Sequence, residues 1–167
     1  MGLGRLSNGE RISSGSAILL FAFMFLHWFG VKAINTSNLL FAIRSVEPGK
    51  NAWEALDYIP TVLLITILAT LAVAALRATN ALRKDSFPVN AVVAILGFVS
   101  VGLILFRIID PPVFRVEPTI TSEGAVQFPI FLALLAAAGI AVGGLQAMRE
   151  ESVVGSEQAS GGSEVGG

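Results

Sequence analysis

The stretch that most constrains this chain is residues 88–112, PVNAVVAILGFVSVGLILFRIIDPP. From Pro88 to Phe106 it carries no charged side chain, and its strongly polar groups are Asn90 near the start and Ser100 near the middle. A helix over 88–109 rises ~1.5 Å per residue to ~33 Å, enough to cross a ~30 Å hydrocarbon core. Ser86 can cap its start, and Pro88 suits a first turn, where its missing N–H has no helical partner to lose. Pro111 and Pro112 end it, and Arg107 sits one turn inside the stop, placed to snorkel to the water boundary.

A chain built around such a segment belongs in a bilayer. Of its 167 residues 54% are hydrophobic and 14% charged, against roughly a quarter charged in soluble domains. The apolar residues come in blocks, which points to spans. The length suits one domain. Net charge is −1 with scattered basic residues, so nucleic acid is not an expected partner. No cysteine is present, which excludes disulfides and thiolate chemistry.

Three further spans follow the same logic. The first is read over residues 12–31, with Ser7 and Glu10 at capping-box spacing, so that its helix begins near Asn8. Its long, phenylalanine-rich apolar region argues against a cleaved signal segment, although Val31, Lys32 and Ala33 have cleavage-like spacing. The second covers 60–81 and the fourth 128–148. Between the first two, residues 38–46 can form a short interfacial helix, Asn51 and Glu54 form a second box, and Trp53 and Tyr58 suit the headgroup boundary. Residues 113–117 can be extended, with a turn at Glu123 and Gly124, but a hairpin is not required there. Residues 149–167 are acidic and rich in Gly and Ser, with little to bury, and are expected to be disordered.

The expected fold is all-α: an integral-membrane antiparallel four-helix bundle over residues 1–148, followed by that tail. Arg77, Arg83 and Lys84 crowd the short connection between the second and third spans. This places both termini in the cytoplasm and the two longer loops outside.

Two small-residue faces are the most specific local signal. Thr66, Thr70, Ala74 and Ala78 recur every four residues in the second span. Gly139, Gly143 and Ala147 do so in the fourth, beside a ladder of Ala133, Ala137 and Ala141. Such faces let helices approach closely, either within one bundle or toward another membrane protein or a second copy.

A polar cluster gathers at the outer ends: His27, Glu54, Asp57, Arg107 and Asp110, with Glu123 and Gln127 nearby. Imidazole with carboxylates can bind an ion. One histidine without ligand spacing argues instead for hydrated or paired boundary residues, with Arg107 joined to Asp57 or Asp110. No hydrolase, metalloprotease or phosphate-loop motif is present, no span carries a central charge, and no cofactor or metal is expected.

Several short motifs carry a resemblance: GER at 9–11, FLHW at 25–28, NAWEA at 51–55, RIIDPP at 107–112 and AVGG at 141–144. Together they touch all four expected spans, and the chain resembles a group of uncharacterised small four-span membrane proteins of high-GC Gram-positive bacteria. That resemblance implies a bacterial cytoplasmic-membrane protein and brings no catalytic residues. Four-span tight-junction-like proteins share the topology but carry loop cysteines that are missing here. The expected role is non-enzymatic: a structural, assembly or regulatory partner in the bilayer. The alternative is binding or transport of a small molecule or ion by the outer cluster.

Overall fold

The computed structural model describes residues 6–31, 49–79, 89–117 and 120–161, with the backbone alone for 31, 113–117, 120–124, 151 and 153–161. Helix α1 (Asn8–Phe23) starts where the Ser7–Glu10 spacing predicts. The Ser7 hydroxyl accepts the Glu10 N–H at 3.3 Å, and the Glu10 carboxylate accepts the Ser7 N–H at 3.0 Å. Its buried face is Gly9, Glu10, Ser13, Ala17 and Leu20, a narrow stripe of mostly small residues.

The first expected span is corrected here. The α1 helix stops at Phe23 and a strand, β1 (His27–Val31), follows. At 16 residues the helix is ~24 Å long, short of the ~30 Å core. The reason is the aromatic pair after the turn. Trp28 and Phe29 are fully buried, and the Trp28 indole N–H donates to the Phe23 carbonyl at 2.7 Å, satisfying a helix-end acceptor. The strand that carries them then finds partners on both sides.

Those partners are β2 (Lys50–Asn51) and β4 (Ile120–Val126), and β3 (Val113–Glu117) pairs with β4, giving a four-stranded antiparallel sheet in the order β2-β1-β4-β3. The register sets His27 opposite Asn51, Phe29 opposite Val126 and Val113 opposite Glu123. The all-α expectation is therefore corrected: the two longer loops contribute strands to one sheet. Single-strand periodicity hid this, because each strand is short and its pairing partners are distant in sequence. The interfacial helix expected over 38–46 lies outside the described residues. A short helix, α2 (Ala52–Ala55), begins on the Asn51–Glu54 box and buries Ala52.

Among the described residues, three helices are long and apolar enough to cross a membrane. They are α3 (Ile59–Ala78), α4 (Val89–Ile109) and the first part of α5 (Pro129–Gly161). Pro60 stands in the first turn of α3, as its fixed φ favours, and α3 ends at Ala78 instead of 81. The caps expected at Ser86 and Pro88 lie outside the described residues. Helix α5 does not end at 148: its backbone stays helical to Gly161, so the expected disordered tail is corrected over 149–161. Residues 162–167 lie outside the described part. Glutamates, alanine and glutamine in that extension are adequate helix formers once a preceding helix removes the cost of nucleation.

Helix α5 packs on both α1 and α4, and α3 packs on the same two helices. Half of the apolar window of α5 is buried, against 28% for α4, which marks α5 as the hub. Outward faces are apolar: Ile65, Leu68, Ile95, Phe98, Leu135 and Val142 are exposed. Hydroxyls and small residues point inward, among them Thr66, Thr70, Ser100 and Ala137. In water this would be an exposed apolar surface far beyond ordinary patches.

Candidate functional site

The two small-residue ladders of α5 are both used within the chain. Gly143 lies against the Ser13 backbone nitrogen and the Gly9 carbonyl, where an added Cβ would come within 2.6 and 2.7 Å. A Cβ on Gly9 would collide with the Ala147 backbone nitrogen, and one on Gly139 with the Ser16 hydroxyl. Gly139, Gly143 and Ala147 thus form the seat of α1. The neighbouring face meets α4: a Cβ on Gly97 would lie 2.6 Å from the Ala141 nitrogen, and one on Gly144 2.7 Å from that of Ala94. Such backbone approach is what glycine and alanine permit, and it adds close dispersion contacts between the helices.

The ladder on α3 closes differently. Thr66, Thr70 and Ala74 are buried, and Ala78 is half-buried. The Thr66 and Thr70 hydroxyls donate back to the carbonyls of Val62 and Thr66, at 3.0 and 2.8 Å. Thr66 Oγ1 also accepts from Ser100 Oγ at 3.1 Å, a side-chain bond between α3 and α4 in the middle of the apolar helices. The spacing of the threonines pointed to this face; the partner serine, 34 residues away, could be paired with it only in space.

The sheet end holds the expected polar cluster. His27, Glu54, Asp57 and Asp110 are all exposed. His27 stands opposite Asn51 in the sheet, which brings it beside the segment leading to Glu54. Glu54 is occupied as a cap, accepting the Asn51 N–H at 3.4 Å. Arg107 is half-buried with its guanidinium 5.8 Å from the Phe106 ring centroid. The expected ion pair from Arg107 to Asp57 or Asp110 is not formed, and the Arg107 Nε is buried without a hydrogen-bond partner. The acids lie in turns that end exposed, where water solvates a carboxylate at no desolvation cost. Among the described residues no three His, Asp or Glu side chains converge as a metal site.

The buried charges lie at the opposite end. Arg77, in the last turn of α3, sets its Nε 2.9 Å from the Glu10 Oε1 of α1, with Glu10 5% exposed and Arg77 14%. Glu10 therefore does two jobs: one oxygen completes the capping box and the other joins α1 to α3. Asn90, in the first turn of α4, is buried at this end too, and its side-chain nitrogen has no hydrogen-bond partner. Sequence reasoning missed this pair. It assigned Glu10 to a cap and Arg77 to loop charge; the available signal was an acid and a base at the ends of spans expected on the same side.

The arrangement offers no convergent catalytic group among the described residues. It offers close-packed seams, one buried ion pair and a sheet that ties the helix ends together. No protein-family model matches the chain, and no curated protein and no solved structure matches it.

Proposed function

We propose that the chain is a multi-pass protein of the bacterial cytoplasmic membrane. In this reading α1, α3, α4 and α5 form an antiparallel four-helix bundle, both termini lie in the cytoplasm, and the sheet lies outside. Its role is non-enzymatic, as a structural, assembly or regulatory partner of another membrane protein. Kinship with small four-span membrane proteins of high-GC Gram-positive bacteria belongs to the same proposal.

The observation that carries this reading is the inversion of the helices: apolar side chains face out while small residues and hydroxyls face in. That is the pattern expected when lipid is the solvent and close packing provides cohesion. The exposed, unpaired acids at the sheet end weigh against a ligand site built on His27, Asp57, Arg107 and Asp110. Because the glycine ladders of α5 are occupied by α1 and α4, a partner would meet the outer faces or the sheet.

Native mass spectrometry of the chain extracted in mild detergent from its own membrane tests the role. A stoichiometric co-purifying protein supports it. A bare chain, or one that holds a small molecule or metal, overturns it, and the latter outcome moves the weight to the polar cluster.

A further inference from the structure

On the membrane reading above, and resting on it, we propose that Arg107 is a seat for the phosphodiester group of a membrane lipid, at the sheet end of α4.

The placement of Arg107 on α4 carries this. Asn90, Val93, Gly97, Ser100 and Ile104 are buried, in the alternating steps of three and four that mark one helix face. Arg107 takes the next step of that series, so it stands on the inward stripe of α4. It is half-buried there, and its Nε is buried with no hydrogen-bond partner. The protein side of the guanidinium therefore meets no acceptor. Asp57 and Asp110, the acids expected to neutralise it, are exposed and form no ion pair with it. Its contact is the ring of Phe106, 5.8 Å from Cζ, and a ring face attracts a cation without cancelling its charge. A guanidinium drawn partly out of water calls for an anion.

What can reach Arg107 decides which anion. Phe106 and Ile109 beside it on α4, Tyr58 at the start of α3 and Phe128 just before α5 are all exposed. These large apolar and aromatic groups suit the hydrocarbon and its boundary at this end. Asp110, one turn beyond Arg107, is exposed and belongs on the water side. Arg107 thus lies between hydrocarbon and water, at the depth of lipid phosphates. A phosphodiester offers acceptor oxygens that match the forked donors of arginine. A soluble anion would arrive from the side that carries Glu54, Asp57 and Asp110, three exposed acids that repel it. A lipid phosphate arrives from the bilayer side. The acids take no part in the seat.

The test uses the full-length chain in mild detergent, stripped of lipid, titrated and read by native mass spectrometry. Phosphatidylglycerol should bind as a single copy, diacylglycerol with the same acyl chains should bind about tenfold more weakly, and inorganic phosphate should not bind. Arg107→Gln should weaken phosphatidylglycerol about tenfold. Arg149→Gln, an exposed cation at the other end of the helices, should leave it unchanged. The lipid seat is overturned if diacylglycerol binds as well as phosphatidylglycerol, or if Arg107→Gln binds as the parent does. Inorganic phosphate binding as strongly as the lipid would overturn it in favour of a soluble-anion site. Equal weakening by Arg107→Gln and Arg149→Gln would overturn it in favour of diffuse charge attraction. Should Arg107→Gln not fold, the comparison with diacylglycerol on the unaltered chain decides alone. Recovery of the chain from the aqueous fraction without detergent would be a different failure, that of the membrane reading, and the lipid seat would fall with it.

Discussion

The two ends of the helix body handle charge in opposite ways. At the sheet end His27, Glu54, Asp57 and Asp110 are exposed, and none of them forms an ion pair with Arg107. At the other end Glu10 and Arg77 are drawn out of solvent and paired, beneath a seam where Gly9 and Gly143 bring α1 and α5 into backbone contact. The difference follows from what surrounds each end. A sheet and turns give polar groups backbone partners and access to water. Helix termini packed backbone to backbone leave no room for water, so a charge there needs a charge of opposite sign. Counting polar residues near span ends finds the exposed cluster; burial finds the pair that joins two helices.

The largest effect should come from filling the seam. Gly143→Leu must displace backbone of α1, and overpacking of this kind costs about 3 kcal/mol or more. The expected outcome is loss of the monodisperse peak in detergent size-exclusion chromatography, while Gly102→Leu on the open face of α4 keeps it. An unchanged elution profile for Gly143→Leu would refute the seam. At the sheet end the corresponding test is mild: a Cβ on Gly30 meets only the tip of the Gln127 side chain, which can rotate away, so Gly30→Ala should elute as the parent does.

Next in size is the ion pair. Glu10→Gln keeps an acceptor for the Ser7 cap but leaves Arg77 facing a neutral group. Removing one partner of a buried pair costs roughly 3 kcal/mol, read as a lower midpoint of thermal unfolding. Equal midpoints for Glu10→Gln and the parent would erase the contrast between the two ends.

Trp28→Phe should cost about 1 kcal/mol through the lost indole bond to the Phe23 carbonyl. A drop larger than that of Glu10→Gln would show that the sheet junction outweighs the buried pair. Ser100→Ala removes one inter-helix bond to Thr66 and should cost about 0.6 kcal/mol, the average for such bonds in membrane helices. Smallest of all, Asp57→Asn and Asp110→Asn act on exposed, unpaired groups and should move the midpoint by no more than about 0.5 kcal/mol. A larger loss for either would return the sheet end to the centre of the fold.

Much of the helical part was legible residue by residue. The capping boxes at Ser7 with Glu10 and at Asn51 with Glu54 form as their spacing predicts, because a cap depends on residues three apart. The last turns of α4 and the first turns of α3 and α5 fall within a residue or two of their prolines and of the charge boundary. Of the candidate residues, Gly139, Gly143 and Ala147 lie against α1, a neighbour that their spacing could not name. The polar cluster was legible as a location and not as an arrangement, since Arg107 and its expected acids do not meet.

The sequence by itself determined the apolar blocks, their lengths, their caps and their close-packing faces. These are set by local energetics: transfer of apolar side chains out of water, backbone satisfaction within a helix, and side-chain size. Tertiary structure alone decided three things. It stopped α1 at Phe23 so that Trp28 and Phe29 could enter a sheet. It assembled that sheet from strands almost a hundred positions apart, with Phe29 opposite Val126. It also turned Glu10 and Arg77 from two boundary charges into one buried pair. Each outcome depends on groups distant in the chain meeting in space, where pairing and desolvation are settled together, and no local pattern encodes that meeting.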